Sequence, residues 1–271
     1  MAKLLFWNVN RSDLTPLVCE IAVATEADVI VLNENVVNSA KMLAALQSTV
    51  APNWYSPNSF SDGRFHCFCR EPRLDLSEVH AGFRTSIRSL NIGSTRALLT
   101  LIHGVDPRNY DSEARQSFAQ SLSTELCFVK EQQATNCFIL LGDFNMNPYD
   151  RGMNLAAGLN AMMTRACASA GVRRHLDRDY DFYYNPMWSL FGDNTDGPAG
   201  TVYDVSNQGP YGWSMYDQVL INHSLVNRFR DVKILTQAGV NSLMDAKGRP
   251  DKRNASDHFP ILVTMCEKDD E

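Results

Sequence analysis

Short apolar segments alternate with amphipathic helical patterns along almost the whole chain. Strands are predicted where apolar residues run together or alternate with polar ones, and helices where apolar residues recur every three or four positions. The predicted strands are KLLFWNV (3–9), DVIVLNE (28–34), RFHCFCR (64–70), FRTSIRSL (83–90), TRALLTLIHG (95–104), NCFILLG (136–142), YDQVLIN (216–222), FRDVKILTQ (229–237) and FPILVTMC (259–266).

Helices are predicted between these strands. The pattern favours helices at 13–27, 39–49 and 111–133, with Asp111 or Ser112 capping the third, and helical segments from about 150 to 170. From residue 182 the chain becomes an aromatic, turn-rich loop. Because no repeat or linker interrupts the chain, we expect one domain over 1–271 that ends in an acidic tail (266–271). The element order predicts an α/β fold with two sheet layers and helices outside.

The net charge changes what kind of ligand is expected. The formal charge is −6, of which the terminal EKDDE contributes four acids and one lysine, so that the rest of the chain carries −3. A broad basic surface for nucleic acid is therefore excluded, although a local basic groove is not. If the ligand is a phosphate, a metal ion is the natural group to hold it.

Cysteines and hydropathy indicate the compartment. Seven cysteines, an odd number scattered through apolar stretches, are typical of reduced core thiols. Cys67 and Cys69 lie beside His66, but no second pair follows at zinc-site spacing, so strand alternation explains them better. No run of about 18 apolar residues predicts a membrane span, and the N-terminus turns polar too soon for a secretory signal. We expect a cytoplasmic protein without membrane association.

Polar residues with catalytic or metal-binding chemistry recur where the apolar strands begin or end. Each alone is typical of a turn or a cap, but together they form a pattern that stability does not need, since burying unpaired acids costs several kcal/mol each. In LLGDFN, Asp143 and Asn145 are two residues apart in sequence. Side chains at this spacing share one face of a strand. The set is Asn8, Glu34, His103, Asp143, Asn145, Asp217, Asp257 and His258.

Six of these motifs resemble the endonuclease/exonuclease/phosphatase superfamily, which is deoxyribonuclease I-like. They are WNVN, VIVLNE, IHGVDP, LLGDFNMNP, MYDQVLI and ASDHFPI, in that order from residue 7 to 261. The resemblance implies a four-layered α/β sandwich, with two mixed sheets face to face and helices outside. It also implies a metal-dependent phosphoester hydrolase whose site lies at the strand ends.

The same resemblance implies roles for single residues. Glu34 would be the main metal carboxylate, with Asn8 and Asp257 beside it. Asp143 would orient or deprotonate the attacking water, and Asn145 would hold that water or a phosphate oxygen.

Two histidines complete the implied set. His258, oriented by Asp217, would stabilise the transition state, and His103 would bind a phosphate oxygen on the far side. Oxygen ligands of this kind suit Mg²⁺ or Mn²⁺ better than zinc. One departure is Asn10, where many relatives have an aspartate, which could lower the metal affinity or alter a second metal position.

Substrate choice depends on the loop from 182 and on local positive charge. The aromatic residues of this loop, Trp188 among them, could stack on bases of single-stranded nucleic acid, although at least half of them, including Trp213, are expected in the core. Its stretches YNPMWSLFGD and WSMYDQVL look like those of a group of bacterial superfamily members. The segment AKGRPDKR offers Arg249 and Lys252 as substrate-binding cations near the site entrance, or as a solvated loop.

Three functions are compatible with these observations. A metal-dependent nuclease that cleaves DNA or RNA fits the aromatic and basic loops best. The second is a phosphatase or phosphodiesterase for a small or lipid-borne phosphoester, and the third is a catalytically inactive binding module. The intact set of acids and histidines argues against the third function.

Overall fold

Two large β-sheets form the centre of the protein. The computed structural model describes residues 1–60, 63–192, 197–205 and 212–268. The five-stranded sheet has the order β15-β18-β1-β2-β3, and the seven-stranded sheet has the order β4-β5-β6-β7-β14-β11-β8. The strands of the first are β1 (Ala2–Asn8), β2 (Val29–Asn33), β3 (Phe65–Cys69), β15 (Phe229–Ile234) and β18 (Ile261–Met265). Those of the second are β4 (Glu78–Gly82), β5 (Thr85–Ile92), β6 (Thr95–His103), β7 (Phe138–Asp143), β8 (Ala161–Met162), β11 (Tyr183–Tyr184) and β14 (Asp217–Asn222).

Both sheets are mixed, with parallel pairs near their centres. β1 runs parallel to β2, and β6 runs parallel to β7. β18 is antiparallel to β1, and β14 is antiparallel to β7. The carboxyl ends of four strands therefore lie at the same edges as the amino ends of β14 and β18. Polar residues placed at these strand ends are brought together by the topology alone.

In the described part of the chain, five helices and several small elements complete the fold. The helices are α1 (Thr15–Thr25), α2 (Ser39–Thr49), α3 (Ser112–Gln133), α4 (Arg151–Asn154) and α5 (Arg165–Ala168). Short 3-10 helices cover Pro72–Leu74, Pro186–Leu190 and His223–Arg228. Three two-stranded sheets pair β9 (Val172–His175) with β10 (Arg178–Asp181), β12 (Val202–Tyr203) with β13 (Trp213–Ser214), and β16 (Gln237–Ala238) with β17 (Asn241–Ser242). No described helix is both long and apolar enough to cross a bilayer.

Three apolar clusters separate four layers, which confirms the predicted sandwich. Alternation along β1 places Leu4 and Phe6 between the two sheets, and Leu5 and Trp7 on the outer face under α1 and α2. The outer face of the seven-stranded sheet is covered by α3. The stripe of α3 that the sequence predicted is buried there: Phe118, Leu122, Leu126 and Val129. The side chain of Asp111 caps this helix by accepting a hydrogen bond from the amide of Ala114, at 2.8 Å.

The helical segments predicted from about 150 to 170 are present but short. This stretch contains only the one-turn helices α4 and α5, with the short strand β8 between them. Asn160 adopts a left-handed backbone with φ +47°, and a Cβ at Gly158 would overlap the carbonyl of Gly152. A continuous helix cannot accommodate either feature, so the chain turns and pairs β8 with β11 instead.

The cysteines behave as the strand alternation predicted. Cys67 and Cys69 lie in β3 and face the cluster between the sheets. His66 points the other way, and its Nδ1 lies 2.8 Å from the hydroxyl of Ser39. All seven cysteines are free thiols, although Cys127 and Cys167 are exposed rather than in the core.

Candidate active site

The central cluster becomes polar at one edge of the two sheets. Along β1, β6, β7 and β14, every second residue faces the other sheet, and the last of these positions toward this edge is polar. The series are Leu4, Phe6 and Asn8; Leu99, Leu101 and His103; Ile139, Leu141 and Asp143; and Ile221, Val219 and Asp217. The alternation that builds the core thus also aims four polar side chains into the space at its rim.

Asp143 is the centre of this edge. In the sheet register it lies opposite His103 on β6 and opposite Asp217 on β14. Its side chain is almost completely buried, with 2% exposed. Ligand atoms of Asp143, Asp217 and His258 lie within 4.8 Å of one another. Two carboxylates in this position repel each other, so a positive charge near them is required.

His258 supplies that charge. Its Nδ1 lies 2.8 Å from Oδ2 of Asp217, whose side chain is completely buried. Burial alone lowers the pKa of His258, but the carboxylates of Asp217, Asp143 and Asp257 outweigh it and raise this pKa to about 10. At neutral pH the imidazole is therefore cationic, with Nδ1–H donating to Asp217 and the Nε2–H left for a ligand.

The other histidine of the site is neutral. Burial lowers the pKa of His103 to about 4, although the nearby charge of Asp143 opposes this shift. Its Nε2 lies 3.4 Å from Oε1 of Glu34, and its buried Nδ1 has no partner among the described residues. The single proton of the neutral ring therefore belongs on Nε2, the nitrogen that faces the site. Asp143 therefore lies between a cationic histidine, His258, and a neutral one, His103.

Asn8 links the acids of the two sheets. Its Nδ2 donates to Oδ2 of Asp143 at 3.1 Å and lies 3.5 Å from Oε1 of Glu34. Its Oδ1 accepts from the amide of Asn10 at 3.0 Å. Asn8 thus presents its nitrogen to both carboxylates in this structure, so a cation at this position would need the amide turned over.

The stretch GDFN holds its acid in a fixed position. The backbone N–H of Asn145 donates to Oδ1 of Asp143 at 2.9 Å, and the Asn145 amide donates to the carbonyl of Gly104 at 3.2 Å. A Cβ at Gly104 would overlap the carbonyl of Phe144, so glycine is required for this close approach. Burial raises the pKa of Asp143, and Asp217 adds to this, while His258 opposes it.

Strained backbone concentrates around the site. Glu34, directly after β2, has φ +52°, and Asn145 has φ +52°. Asn10, Arg11 and Arg84 also adopt left-handed values. Such conformations cost of order 1 to 3 kcal/mol for residues other than glycine, and they persist at functional sites because the surrounding structure enforces them.

Two residues that the sequence analysis did not identify hold His258 and Asp217 in place. Ser256 donates through Oγ to the carbonyl of Asn8 at 2.7 Å and accepts from the amide of His258 at 3.2 Å. Thr201 accepts through Oγ1 from the amide of Asp217 at 3.1 Å. Ser256 is part of the SDH motif and could have been found there, whereas Thr201 lies in a stretch with no recognisable pattern.

The remaining predicted site residues lie around the rim. Asp257 is half-buried and its nearest described partner is the hydroxyl of Ser256, at 3.5 Å. The guanidinium of Arg249 stacks on the ring of Tyr203 at 3.9 Å, and Lys252 is exposed. Trp188 is half-buried, and its buried Nε1 has no partner among the described residues. Among the described contacts, none of these four side chains forms a hydrogen bond with the His258 ring as Asp217 does.

The aromatic residues of the loop from 182 are mostly half-buried. Trp213, which was expected in the core, is half-buried. It makes an edge contact with Tyr203. Among the other described aromatic residues between 182 and 213, only Tyr183 is buried, while Phe182, Tyr184 and Phe191 pack against the central cluster. The outcome for Tyr211 and for the end of the acidic tail lies outside the described residues.

The donor chemistry at this edge suits a hard divalent cation. Glu34 meets only long contacts, to His103 and Asn8 and to Nε of Arg11 at 3.5 Å. Such contacts leave the lone pairs of this carboxylate open to a stronger ligand. The carboxylates of Glu34, Asp143 and Asp257 offer oxygen atoms only, which is the preference of Mg²⁺ or Mn²⁺.

A cleft opens beside Glu34. It has a volume of about 490 Å³ and is lined by Arg11, Glu34, Asn35, Arg64 and His103, among others. Two arginines against one acid give this cleft a surplus of positive charge, although the protein as a whole is acidic. The local charge therefore favours an anionic ligand that reaches the site from this side.

Comparisons with known proteins agree with this geometry. A family model described as the Endonuclease/Exonuclease/phosphatase family matches residues 5–258. The chain belongs to this family, whose members are typically hydrolases of phosphoester bonds. No curated protein matches the sequence at a significant level.

Solved structures share the fold at low sequence identity. A humanized D. rerio TDP2 carrying 14 mutations has a TM-score of 0.59 at 16% identity, over 97% of this chain and 98% of that chain. A Bacteroides thetaiotaomicron protein of the same family has a TM-score of 0.58 at 14% identity, over 97% and 94%. An AP endonuclease from Archaeoglobus fulgidus has a TM-score of 0.56 at 16% identity, over 98% and 99%. At these identities the likeness concerns the fold.

Proposed function

We propose that this protein is a metal-dependent phosphodiester hydrolase that cleaves nucleic acid. The observation that carries the proposal is the row of His103, Asp143 and Asp217 along one sheet edge, with cationic His258 bonded to Asp217 at 2.8 Å. A buried base, a cationic donor and open carboxylates at one place are the groups that hydrolysis of a phosphodiester requires. Structural neighbours called an AP endonuclease and TDP2 support the choice of nucleic acid.

In this proposal Asp143 accepts a proton from the attacking water. Burial makes this carboxylate a stronger base than an exposed aspartate, because its pKa is raised. The backbone N–H of Asn145 fixes the carboxylate, and the amide hydrogen that does not bond Gly104 holds the water or a phosphate oxygen.

The two histidines bind the phosphoryl oxygens from opposite sides of Asp143. His258 donates from Nε2 and stabilises the negative charge that builds up as the water attacks, while Asp217 keeps its ring oriented and charged. His103 donates from Nε2 as a neutral group, which positions the phosphate without adding charge.

Glu34, Asp257 and Asn8 are the residues that would hold the cation, Asn8 after rotation of its amide. When bound, a Mg²⁺ or Mn²⁺ ion supplies charge neutralisation and polarisation of the phosphoryl group. The carboxylates of Glu34 and Asp257 balance the charge of the ion, and the arginines of the cleft guide the substrate backbone toward it.

A substrate panel tests the proposal. Single-stranded DNA, duplex DNA, RNA, inositol phosphates and nucleotides are incubated with the protein in Mg²⁺, Mn²⁺ or chelator. We expect polynucleotides to be cleaved in the presence of metal and cleavage to stop in chelator. Turnover of the small phosphoesters alone would favour the phosphatase alternative, and no turnover at all would favour an inactive binding module.

A pair of variants separates the site from contamination. Asp143→Asn should remove the activity, whereas Asp179→Asn, in the exposed hairpin of β9 and β10, should leave it unchanged. Equal activity in both variants would contradict the proposal.

A further inference from the structure

The turn between β4 and β5 is fixed to the active site. The carbonyl of Arg84 accepts from the amide of His103 at 3.1 Å, and Nε of Arg84 donates to the carbonyl of His103 at 2.5 Å. On its other side, the hydroxyl of Thr85 donates to Oε1 of Glu125 on α3 at 2.6 Å. A Cβ at Gly82 would overlap Glu125, so the turn also packs closely against α3. The turn is therefore held from both sides.

Phe83 is at the tip of this turn, and it is 71% exposed. A large apolar side chain in water gains nothing for stability, and here it is carried by a turn that is hydrogen-bonded on both sides. Tyr110, which follows β6, is 46% exposed and lies near Arg84. Two exposed aromatic rings thus accompany Arg84 at the rim.

Arg84 in this turn lies near a second cation, Arg64, and near the carboxylates of Asp143 and Glu34. Burial lowers the pKa of Arg84, and the neighbouring charge of Arg64 lowers it further. Arg64 and His103 also line the cleft beside Glu34. Cations with interleaved exposed aromatic rings are the pattern that proteins use for the phosphates and bases of single strands.

Four described aromatic residues of the 182–213 loop do not offer this combination. Phe182, Tyr184 and Phe191 pack against the central cluster, and the ring of Tyr203 is occupied by Arg249. Phe83 is 71% exposed, and the residue after it, Arg84, is hydrogen-bonded to His103, which lines the cleft. The exposed stacking surface is therefore on the His103 side of the site.

From this arrangement we propose that Phe83 is a specificity-determining residue that stacks on an unpaired base next to the scissile phosphate, so that the preferred substrate is single-stranded. The inference rests on the proposed function, since it assigns a base to a site that cleaves a nucleic-acid backbone. Arg84 and Arg64 hold the backbone while Phe83 covers the base. In a duplex the faces of the bases are already stacked on each other and are not available to Phe83.

Two substrates of equal charge test the inference. One is a single-stranded oligonucleotide, and the other is a strand of the same length in which every nucleoside is an abasic sugar. For Phe83→Ala we expect KM on the normal strand to rise about tenfold, with kcat within about twofold, because stacking is worth ~1 to 3 kcal/mol per base. KM on the abasic strand should not change.

Three further variants complete the design. Phe83→Trp should retain the low KM on the normal strand, whereas Phe83→Leu, which is apolar but has no ring, should behave as Phe83→Ala. Phe128→Ala removes a phenylalanine exposed on α3 that contacts the ring of His80, and it should be neutral.

The outcomes separate this inference from the proposed function. Cleavage of the normal strand with equal KM in wild type and Phe83→Ala would overturn the role of Phe83, as would an equal rise in KM on the abasic strand. A duplex that is cleaved with lower KM than the single strand would also overturn it. Failure of the wild type to cleave any strand would instead contradict the proposed function.

Discussion

The two sides of the site differ in burial, charge and backbone. On the His258 side, the bonded pair with Asp217 is almost completely buried, since the two side chains are 11% and 0% exposed. On the His103 side, Glu34 is 26% exposed, and the side chain of Arg11 next to it is 79% exposed. The first side is a buried charge pair, and the second is a solvent-exposed cleft lined by arginines.

This difference separates chemistry from recognition. A charge pair in a low-dielectric environment acts strongly on a developing negative charge, because water does not screen it. The exposed arginines act more weakly, but they reach a long anionic ligand before it is bound. We therefore expect changes on the His258 side to reduce kcat, and changes on the His103 side to raise KM.

The largest expected effect comes from the buried pair. His258→Gln should lower kcat on nucleic acid by about 10² to 10³-fold, as the loss of one preorganised donor does in other enzymes. His103→Gln should instead raise KM about tenfold and leave kcat nearly unchanged, since a neutral histidine gives one ordinary hydrogen bond. Steady-state kinetics of both variants, with melting curves to verify folding, check this ratio. Equal losses in the two variants would remove the distinction between the sides.

The next effect is the titration of the two histidines in the metal-free protein. An NMR titration should find His103 with a pKa near 4 and His258 with a pKa near 10. Asp217→Asn should lower the pKa of His258 sharply, because it removes the partner that favours the charged ring. An unchanged pKa of His258 in this variant would mean that the pair is not what keeps the ring protonated.

These pKa shifts also give opposite contributions to stability. For His258 the folded pKa lies above the ordinary value of 6.5, so its stabilising contribution is complete below about pH 6.5 and is lost as pH rises toward 10. For His103 the folded pKa lies below 6.5, so its contribution is present above that value and is lost as pH falls toward 4. The free energy of unfolding of the wild type, compared with each glutamine variant across this range, measures both contributions.

The smallest effect is expected at Arg11. This residue has φ +58°, so Arg11→Gly relieves backbone strain, and the free energy of unfolding should change by no more than ~1 kcal/mol. The loss of a cation at the cleft should raise KM for nucleic acid a few-fold and leave kcat unchanged. Arg11→Lys keeps the charge and should keep KM near the wild-type value. A drop in kcat for Arg11→Gly would place this residue in the chemistry instead.

Most of the sheet framework was predictable from the sequence, because alternation along a strand determines which residues face the core. The same alternation carried Asp143 and Asp217 to one edge, and the confirmed fold brings these predicted site residues together. Their catalytic and metal-binding roles stay predictions. Asn8 illustrates the limit, since the sequence cannot say which atom of its amide faces the carboxylates.

Exposure was the property that the sequence did not determine. Apolar aromatic residues from 182 onward could either pack or stack, and most of them pack at least partly. Phe83 was overlooked because one aromatic residue in a turn has no periodicity, and its exposure depends on how β4 and β5 meet His103. Similarly, no pattern in the sequence marks Arg88 as buried, but it is completely buried and lies 3.5 Å from Glu78.

The register between β7 and β14 puts two like charges face to face, at Asp143 and Asp217. A strand pair chosen for strength alone would avoid this arrangement. Replacing Asp143 by the neutral isostere asparagine should therefore give a protein that melts at a higher temperature than the wild type. Homologues that no longer catalyse the reaction are expected to lose this acid, because its removal stabilises the folded state.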